Sequence, residues 1–267
     1  MMRRVRAAVL TLLASFVLLA GCADITIEAP ELPELPELPT LLEEMARDLG
    51  LPDLSQIPDL PQLVDLPIQQ TPEGAINFNG PTERQIAIGE RLPGTDIVLA
   101  EITPDGAVFE IGGLRATRQI GDSLDSDGSW PGAEEADYSL RLRVYYVGDE
   151  GVRAAGVHQL VVYNVQPQAD SAVSLANETV RFPFTVGVAA GETITGTTLR
   201  YLGSEEAGAQ LGGLAEGEYP YRRVGDSIVW RGRVRSNIAA EFQLRMLFYT
   251  GEQARVGGLV TLDLPTE

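Results

Sequence analysis

The stretch from residue 138 to residue 145 reads Tyr-Ser-Leu-Arg-Leu-Arg-Val-Tyr and decides the fold class. Apolar and polar residues alternate along it with a period of two. This period is typical of a half-buried β-strand, because successive side chains point to opposite faces of a sheet. We therefore predict a strand with one buried face, formed by Tyr138, Leu140, Leu142, Val144 and Tyr146.

The same pattern recurs about one hundred residues later, at 242–249, an offset of 104. Two further pairs keep their order: 111–114 matches 211–214, and 118–124 matches 222–228. Residues 153–157 also match 255–259, at an offset of 102. An internal repeat of this kind predicts two modules, 74–167 and 168–267, each long enough to bury a core of its own. The predicted buried side chains of the second pattern are Phe242, Leu244, Met246 and Phe248.

Glycines and turn residues divide each module into about seven short segments with a period of two. In the second module we place strands near 179–188, 193–202, 208–214, 219–224, 227–234, 241–250 and 254–264. No helical stretch separates these segments, which favours antiparallel pairing. The predicted fold is all-β, with two tandem antiparallel β-sandwich domains.

A seven-strand module of this length resembles an immunoglobulin or fibronectin type III sandwich. Residues 134–140 are similar to the sixth-strand signature of immunoglobulin domains, with Tyr138 at the signature tyrosine and Leu140 at the cysteine. The second copy departs further, with Phe242 and Leu244 at these positions. The resemblance implies a sandwich held together by apolar packing between two inner faces rather than by a disulfide.

Residues 22–73 differ in kind and predict a stalk rich in Pro, Leu and Glu. The run at 31–39 repeats Glu-Leu-Pro three times, which suits the three residues per turn of a polyproline II helix. A capping box of Thr40 and Glu43, with Gly50 at the end, predicts one short helix at 41–49. A plain spacer is the first interpretation, and a stalk that docks on another envelope protein or lies back on its own domains is the second.

The N-terminus has the form of a signal peptide, 1–21, with a cationic start and an apolar run at 7–20 that is too short for a membrane span. Leu19-Ala20-Gly21-Cys22 resembles the lipobox of bacterial lipoproteins. The resemblance implies cleavage between Gly21 and Cys22 and acylation of Cys22. Two or more acyl chains give stable anchoring. The expected location is extracytoplasmic, on the cell membrane or the outer membrane, and Ala23 is compatible with either.

The charge balance excludes a nucleic-acid partner. The chain has 38 acidic and 20 basic residues and a formal net charge of -18. Such a surface repels nucleic acid and anionic headgroups, so the N-terminal lipid must hold the protein at the membrane. Cys22 is the single cysteine and His158 the single histidine, which excludes the usual zinc sites. We expect no cofactor.

Three features invite a functional interpretation. The first is His158, which aligns with Val260 and is expected at the rim of a core rather than in a catalytic site. The second is the acidic run Asp122, Asp125 and Asp127, which is typical of a solvated hairpin turn and has some similarity to part of a calcium loop. The third is Trp130 and Trp230 in corresponding places, for which packing at the core edge is favoured over a sugar platform.

Arg231, Arg233 and Arg235 alternate along one segment and indicate a solvated strand face paired with acids. The sequence therefore predicts a protein without enzymatic activity that presents tandem β-modules to an envelope protein, a cell-wall polymer or another extracellular partner. The alternatives are an accessory lipoprotein that acts through its Leu-Pro stalk, and a calcium- or carbohydrate-binding adhesin.

Overall fold

The computed structural model describes residues 59–266. These residues all belong to one compact unit. The described chain is built from β-strands and one short 3-10 turn, Leu63–Asp65. The signal peptide, Cys22, the run at 31–39 and the helix predicted at 41–49 lie outside the described residues.

Each predicted module contains seven strands, as the sequence indicates, and a two-residue strand joins them. The first repeat has β1 (Ile76–Ala87), β2 (Val98–Thr103), β3 (Gly106–Ile111), β4 (Leu114–Arg118), β5 (Ser123–Trp130), β6 (Ala133–Gly148) and β7 (Gly151–Val162). The linking strand is β8 (Gln168–Ala169). The second repeat has β9 (Glu178–Ala189), β10 (Arg200–Glu205), β11 (Gly208–Gly212), β12 (Tyr221–Arg222), β13 (Ser227–Arg235), β14 (Ile238–Tyr249) and β15 (Gln253–Leu264).

Every strand pair is antiparallel, which confirms the predicted all-β class. The first repeat forms a four-stranded sheet, β1-β7-β6-β5, and a three-stranded sheet, β2-β3-β4. The second forms β8-β13-β14-β15-β9 and β10-β11-β12. In an immunoglobulin sandwich the second strand pairs with the fifth, and the third pairs with the sixth. Here the second to fourth strands form a sheet of their own, so the strand order differs from that family.

The two repeats are equivalent through most of their length at an offset of 102. A tight turn shows this best: the hydroxyl of Thr95 donates to Leu92 O at 2.9 Å, and that of Thr197 donates to Ile194 O at 2.9 Å. In the second repeat this turn occupies the start of the segment that the sequence assigned to a strand at 193–202. That prediction was wrong for its first half, because β10 begins only at Arg200.

A β-bulge interrupts the sixth strand of each repeat at the same place. It lies between Val144 and Tyr146 in the β6–β7 ladder, and between Met246 and Phe248 in the β14–β15 ladder. These bulges align residues 138–145 with 240–247, so the predicted offset of 104 was too large by two. A shift of two keeps every side chain on its face, which is why the alternation could not reveal the error.

The bulge also corrects the burial prediction for two aromatic residues. Beyond an extra residue, the alternation changes face, so a bulge redirects the side chains that follow it. Tyr146 and Phe248 were predicted to be buried, but they are 53% and 45% exposed. The other predicted members of both faces, from Tyr138 to Val144 and from Phe242 to Met246, are buried.

The buried side chains of both repeats form one contiguous cluster. Phe78 of β1 lies 5.9 Å from Phe182 of β9 and 6.3 Å from Phe242 of β14, measured between ring centroids. Aromatic pairs at this separation add to the stabilisation from burial. Because the two repeats share this cluster, separating them would expose apolar surface. That each repeat folds by itself stays a prediction.

Residues 59–73, which we call the strap, lie on the outer face of the first four-stranded sheet. The Ile68 N–H donates to Gln159 Oε1 at 3.1 Å, and Gln159 Nε2 donates to Ile68 O at 2.6 Å. Leu66 is 3% exposed and Gln159 is 2% exposed. Residues 59–73 of the predicted stalk thus contact the folded unit, and the rest of the stalk lies outside the described residues.

The strap explains a difference between β7 and β15. On the outer face of β7, Val157 and Val161 flank Gln159 and are 6% and 1% exposed. The equivalent positions of β15 are Leu259, Thr261 and Asp263. The face that receives the strap is therefore more apolar than its counterpart in the second repeat.

Candidate functional site

His158 lies in the centre of the core rather than at its rim. Its ring stacks on Phe182 with centroids 4.1 Å apart, and Nδ1 lies 3.3 Å from the Tyr138 hydroxyl. Burial lowers the pKa of His158 well below its ordinary value, and the positive charge of Arg84 lowers it further. His158 is therefore neutral at physiological pH. Its alignment with Val260 is confirmed by the strand register. His158 pairs with Gly80 and Leu140, and Val260 pairs with the equivalent residues of the second repeat, Phe182 and Phe242.

The acidic run at 122–128 is not a hairpin turn, which corrects the sequence-based prediction. Residues 123–128 belong to β5 and pair with β6. Arg141 Nη2 contacts both carboxylate oxygens of Asp127, at 3.0 and 2.8 Å. Burial alone would raise the pKa of Asp127, but hydrogen bonds from Arg141 and Ser139 lower it below its usual value.

Asp122 has a separate role, because Oδ2 accepts the N–H of Gln119 at 2.8 Å and closes the turn before β5. Within residues 59–266, no three His, Cys, Asp or Glu side chains come together in a group that could hold a metal ion. The structure therefore does not bring Asp122, Asp125 and Asp127 together as calcium ligands.

Both tryptophans are buried in the core cluster, which confirms the packing interpretation. Trp130 is 1% exposed and its Nε1 donates to Pro265 O at 3.0 Å, while Trp230 Nε1 donates to Thr198 Oγ1 at 2.9 Å. Their positions differ, however. The strand register makes Ser126, not Trp130, the equivalent of Trp230. Ser126 pairs with Leu140, and Trp230 pairs with the equivalent residue Phe242.

The alternating arginines of β13 lie along one side of the strand, and two of them pair with acids, as predicted. Arg231 Nη2 lies 3.2 Å from Glu241 Oε1. Arg235 Nη2 lies 2.5 Å from Glu135 Oε1 of the first repeat. The guanidinium of Arg233 instead donates to Ser236 O at 3.3 Å.

A surface that the sequence did not predict recurs in both repeats, and we call it the bulge–turn surface. It consists of Ile120 and Tyr146 in the first repeat and of Val224 and Phe248 in the second. Their exposed fractions are 66%, 53%, 63% and 45%. The turn and the bulge are adjacent, because the residue after Ile120 or Val224 donates its N–H to the carbonyl at the bulge. Gly121 N donates to Val144 O at 2.8 Å, and Gly225 N donates to Met246 O at 2.7 Å.

Beside the bulge of the first repeat, three side chains form a polar cluster. The hydroxyl of Tyr145 and the guanidinium of Arg153 both donate to Oε1 of Glu83. The same guanidinium lies 5.4 Å from the centroid of the Tyr145 ring, within cation–π range. Burial raises the pKa of Tyr145, and the hydrogen bond to Glu83 raises it further. The phenol is therefore a neutral hydrogen-bond donor and not a nucleophile at physiological pH.

A cleft of about 610 Å³ opens at this cluster. It is lined by Gln85, Tyr145, Tyr146 and the hairpin residues 149–153. Gly148 allows the Tyr146 ring to lie over the hairpin, because a Cβ at that position would come within 2.4 Å of the Tyr146 hydroxyl oxygen. The cleft therefore offers a half-exposed aromatic ring beside acidic, basic and amide groups.

The second repeat replaces this cluster, so the two bulges are not chemically identical. The equivalents of Glu83, Tyr145 and Arg153 are Thr185, Leu247 and Arg255. The exposed apolar pair is common to both repeats, whereas the polar cluster belongs to the first.

Neither a known protein family, nor a curated protein, nor a solved structure matches this chain. Among residues 59–266 there is also no helix with the length and hydropathy of a transmembrane span.

Proposed function

We propose that the chain is a lipid-anchored protein of the bacterial cell envelope, without enzymatic activity, that binds a partner outside the cytoplasm. Cys22 is the lipidated residue, Gly21-Cys22 is the cleavage site, and the membrane contact is made through the N-terminal lipid. The partner is another envelope protein or a cell-wall polymer.

The observation that carries this proposal is the bulge–turn surface. An exposed aliphatic residue and an exposed aromatic residue occur at equivalent places in both repeats, although the residues beside the bulge differ between the repeats. Burying these side chains would be favourable, and the bulge that exposes them is a feature that proteins use to redirect a side chain. Two such places on one molecule allow a repetitive partner to be bound twice, which increases avidity.

Binding is tested with the soluble mature chain, Cys22→Ser, sedimented with purified cell-wall material and, separately, with envelope membranes. The double variant Tyr146→Ser and Phe248→Ser is expected to lower the bound fraction at least tenfold. Leu114→Ser is the matched control, because Leu114 is 76% exposed and lies outside the surface. Equal binding by the two variants would contradict the proposal.

Anchoring is tested separately by cell fractionation. A Cys22→Ala variant is expected to lose its membrane association, since the net charge of the protein is strongly negative and anionic headgroups repel it. Retention of this variant in the membrane fraction at the wild-type level would remove the basis for a lipid anchor.

One observation favours a second candidate, an accessory lipoprotein that acts through its stalk. The strap shows that the Leu- and Pro-rich sequence makes specific contacts, since Ile68 exchanges two hydrogen bonds with Gln159. Deleting residues 24–58 while keeping the lipid and the strap distinguishes the candidates. Loss of partner binding with an unchanged melting temperature would favour the stalk over the bulge–turn surface.

A further inference from the structure

The outer face of the second repeat's five-stranded sheet is the counterpart of the face that the strap covers. Pairing across β13, β14, β15 and β9 places its side chains in rows, one of which runs Arg231, Glu241, Thr261 and Arg181. The next row runs Val229, Gln243, Leu259 and Pro183. We call this surface the arginine face.

The arginine face has an excess of positive charge on an acidic protein. Its charged side chains are Arg181, Arg231, Arg233, Arg245, Arg255, Glu241 and Asp263. Asp263 is 3% exposed and accepts hydrogen bonds from Asn177, and Glu241 pairs with Arg231. Among residues 59–266, the other four arginines of the face have no ion pair with an acid, although Arg233 and Arg245 each donate one hydrogen bond to a backbone carbonyl. Their remaining N–H groups can bind carboxylates.

The face also has an aliphatic part between the arginines. Val229 is 51% exposed and Leu247 is 46% exposed, and Leu259 is half-buried in the same row as Val229. A ligand with carboxylates and leucines in alternation would satisfy both kinds of group.

The strap shows which sequence fits such a face. On the equivalent surface of the first repeat, a segment rich in Leu and Pro is held by Gln159, with Leu66 buried. The chain contains another segment rich in Leu and Pro at 31–39, in which every third residue is Glu, so that its density of negative charge is higher than that of the strap. The negative charges of its three glutamates are complementary to the positive charge of the arginine face.

The spacing also agrees. In polyproline II conformation, residues three apart are separated by about 9.3 Å along the axis. Arg245 of β14 pairs with Gly257, which is two residues from Arg255 on the adjacent strand β15. With strands about 4.8 Å apart and a rise of about 3.4 Å per residue, the Cα atoms of these two arginines are about 8 Å apart. A segment in this conformation can therefore place two successive glutamates against Arg245 and Arg255.

We propose that the arginine face binds residues 31–39 of a second copy of the chain, so that neighbouring molecules associate on the membrane. The inference rests on the proposed lipid anchor for its setting, since anchoring raises the local concentration of the copies. The binding itself is a property of the soluble chain and is measured without the anchor.

The test is sedimentation velocity of the mature chain, Cys22→Ser, in 50 mM and 500 mM NaCl. Self-association is expected at 50 mM, and it should weaken at least tenfold at 500 mM because salt screens exposed charges. Variant A carries Arg245→Glu and Arg255→Glu, and variant B carries Glu31→Arg, Glu34→Arg and Glu37→Arg. Each alone should be monomeric.

A mixture of variants A and B should associate again, because the unchanged acidic segment of A meets the unchanged arginine face of B, and the basic segment of B meets the altered face of A. Arg115→Glu is the matched control for surface charge, since Arg115 lies on β4 of the first repeat, and it should associate like the parent. A parent chain that stays monomeric at 50 mM NaCl, or variants A and B that fail to associate when mixed, would overturn the proposal. Membrane release of Cys22→Ala reports on the anchor alone, so the two failures are distinguishable.

Discussion

The strap is expected to be part of the folded unit, and substitution of Leu66 by alanine tests this. Leu66 is 3% exposed, although it lies in a segment that precedes β1. The change removes three buried carbons, which at about 0.8 kcal/mol each corresponds to about 2.4 kcal/mol. The strap lies at the surface and can relax, so the cavity contribution should be small, and we expect a loss of about 2–3 kcal/mol.

The assay is thermal and urea unfolding of the mature chain with Cys22→Ser. For a domain of this size, 1 kcal/mol corresponds to about 2–4 °C in Tm. Leu66→Ala should therefore lower Tm by roughly 5–10 °C. Val64→Ala is the matched control, because Val64 lies in the same segment and is 76% exposed, and it should change Tm by less than about 2 °C.

Equal Tm values for the two variants would refute the reasoning, since they would show that the strap does not contribute to stability. The same argument predicts that a chain that begins at residue 74 aggregates. Without the strap, Val157 and Val161 lose their cover, and an exposed apolar patch favours association.

Two further predictions concern the core. Because the pKa of His158 is lowered in the folded chain, the imidazole takes up a proton at a higher pH in the unfolded chain than in the folded one. The free energy of unfolding should therefore be unaffected by this group above pH 6.5 and should fall below it by up to about 1.4 kcal/mol per pH unit. Urea unfolding from pH 7.5 to 5 should show a shallower decline in His158→Val, and identical slopes would contradict this role. Gly94→Ala should destabilise the protein strongly, because φ is +72° and a Cβ would lie 2.4 Å from the Trp130 ring. Gly89→Ala is the control, since φ is +83° and a Cβ would have nothing within 4 Å, so it should cost only the backbone strain of about 1–2 kcal/mol. Equal Tm values for the two variants would show that the tryptophan moves aside at no cost.

The alternation of residues 138–145 predicted a strand with a buried face. Four of the five residues predicted on that face, those from Tyr138 to Val144, are buried in β6. Such a pattern is local, because the alternation of side chains is imposed by the strand itself. The same locality limited the alignment of the repeats, since a shift of two residues preserves the pattern. Only the paired bulges located the correct offset.

The candidate site was missed for the same reason. A bulge depends on the pairing of two strands, and nothing within the sixth strand marks Tyr146 or Phe248 as exposed. The turn residues Ile120 and Val224 were within a motif that the repeat preserved, and their apolar character in an otherwise polar turn is the signal that could have found them.

The sequence by itself determined the strand-rich fold, the internal duplication and the acidic charge, because these follow from composition and from patterns between near neighbours. The tertiary structure decided which faces are covered and which groups are buried. Gln159 and Ile68 are 91 residues apart, and Trp130 and Pro265 are 135 apart. Contacts over such distances in the chain exist only after the sheets have packed, so no local pattern could have announced the strap or the burial of His158.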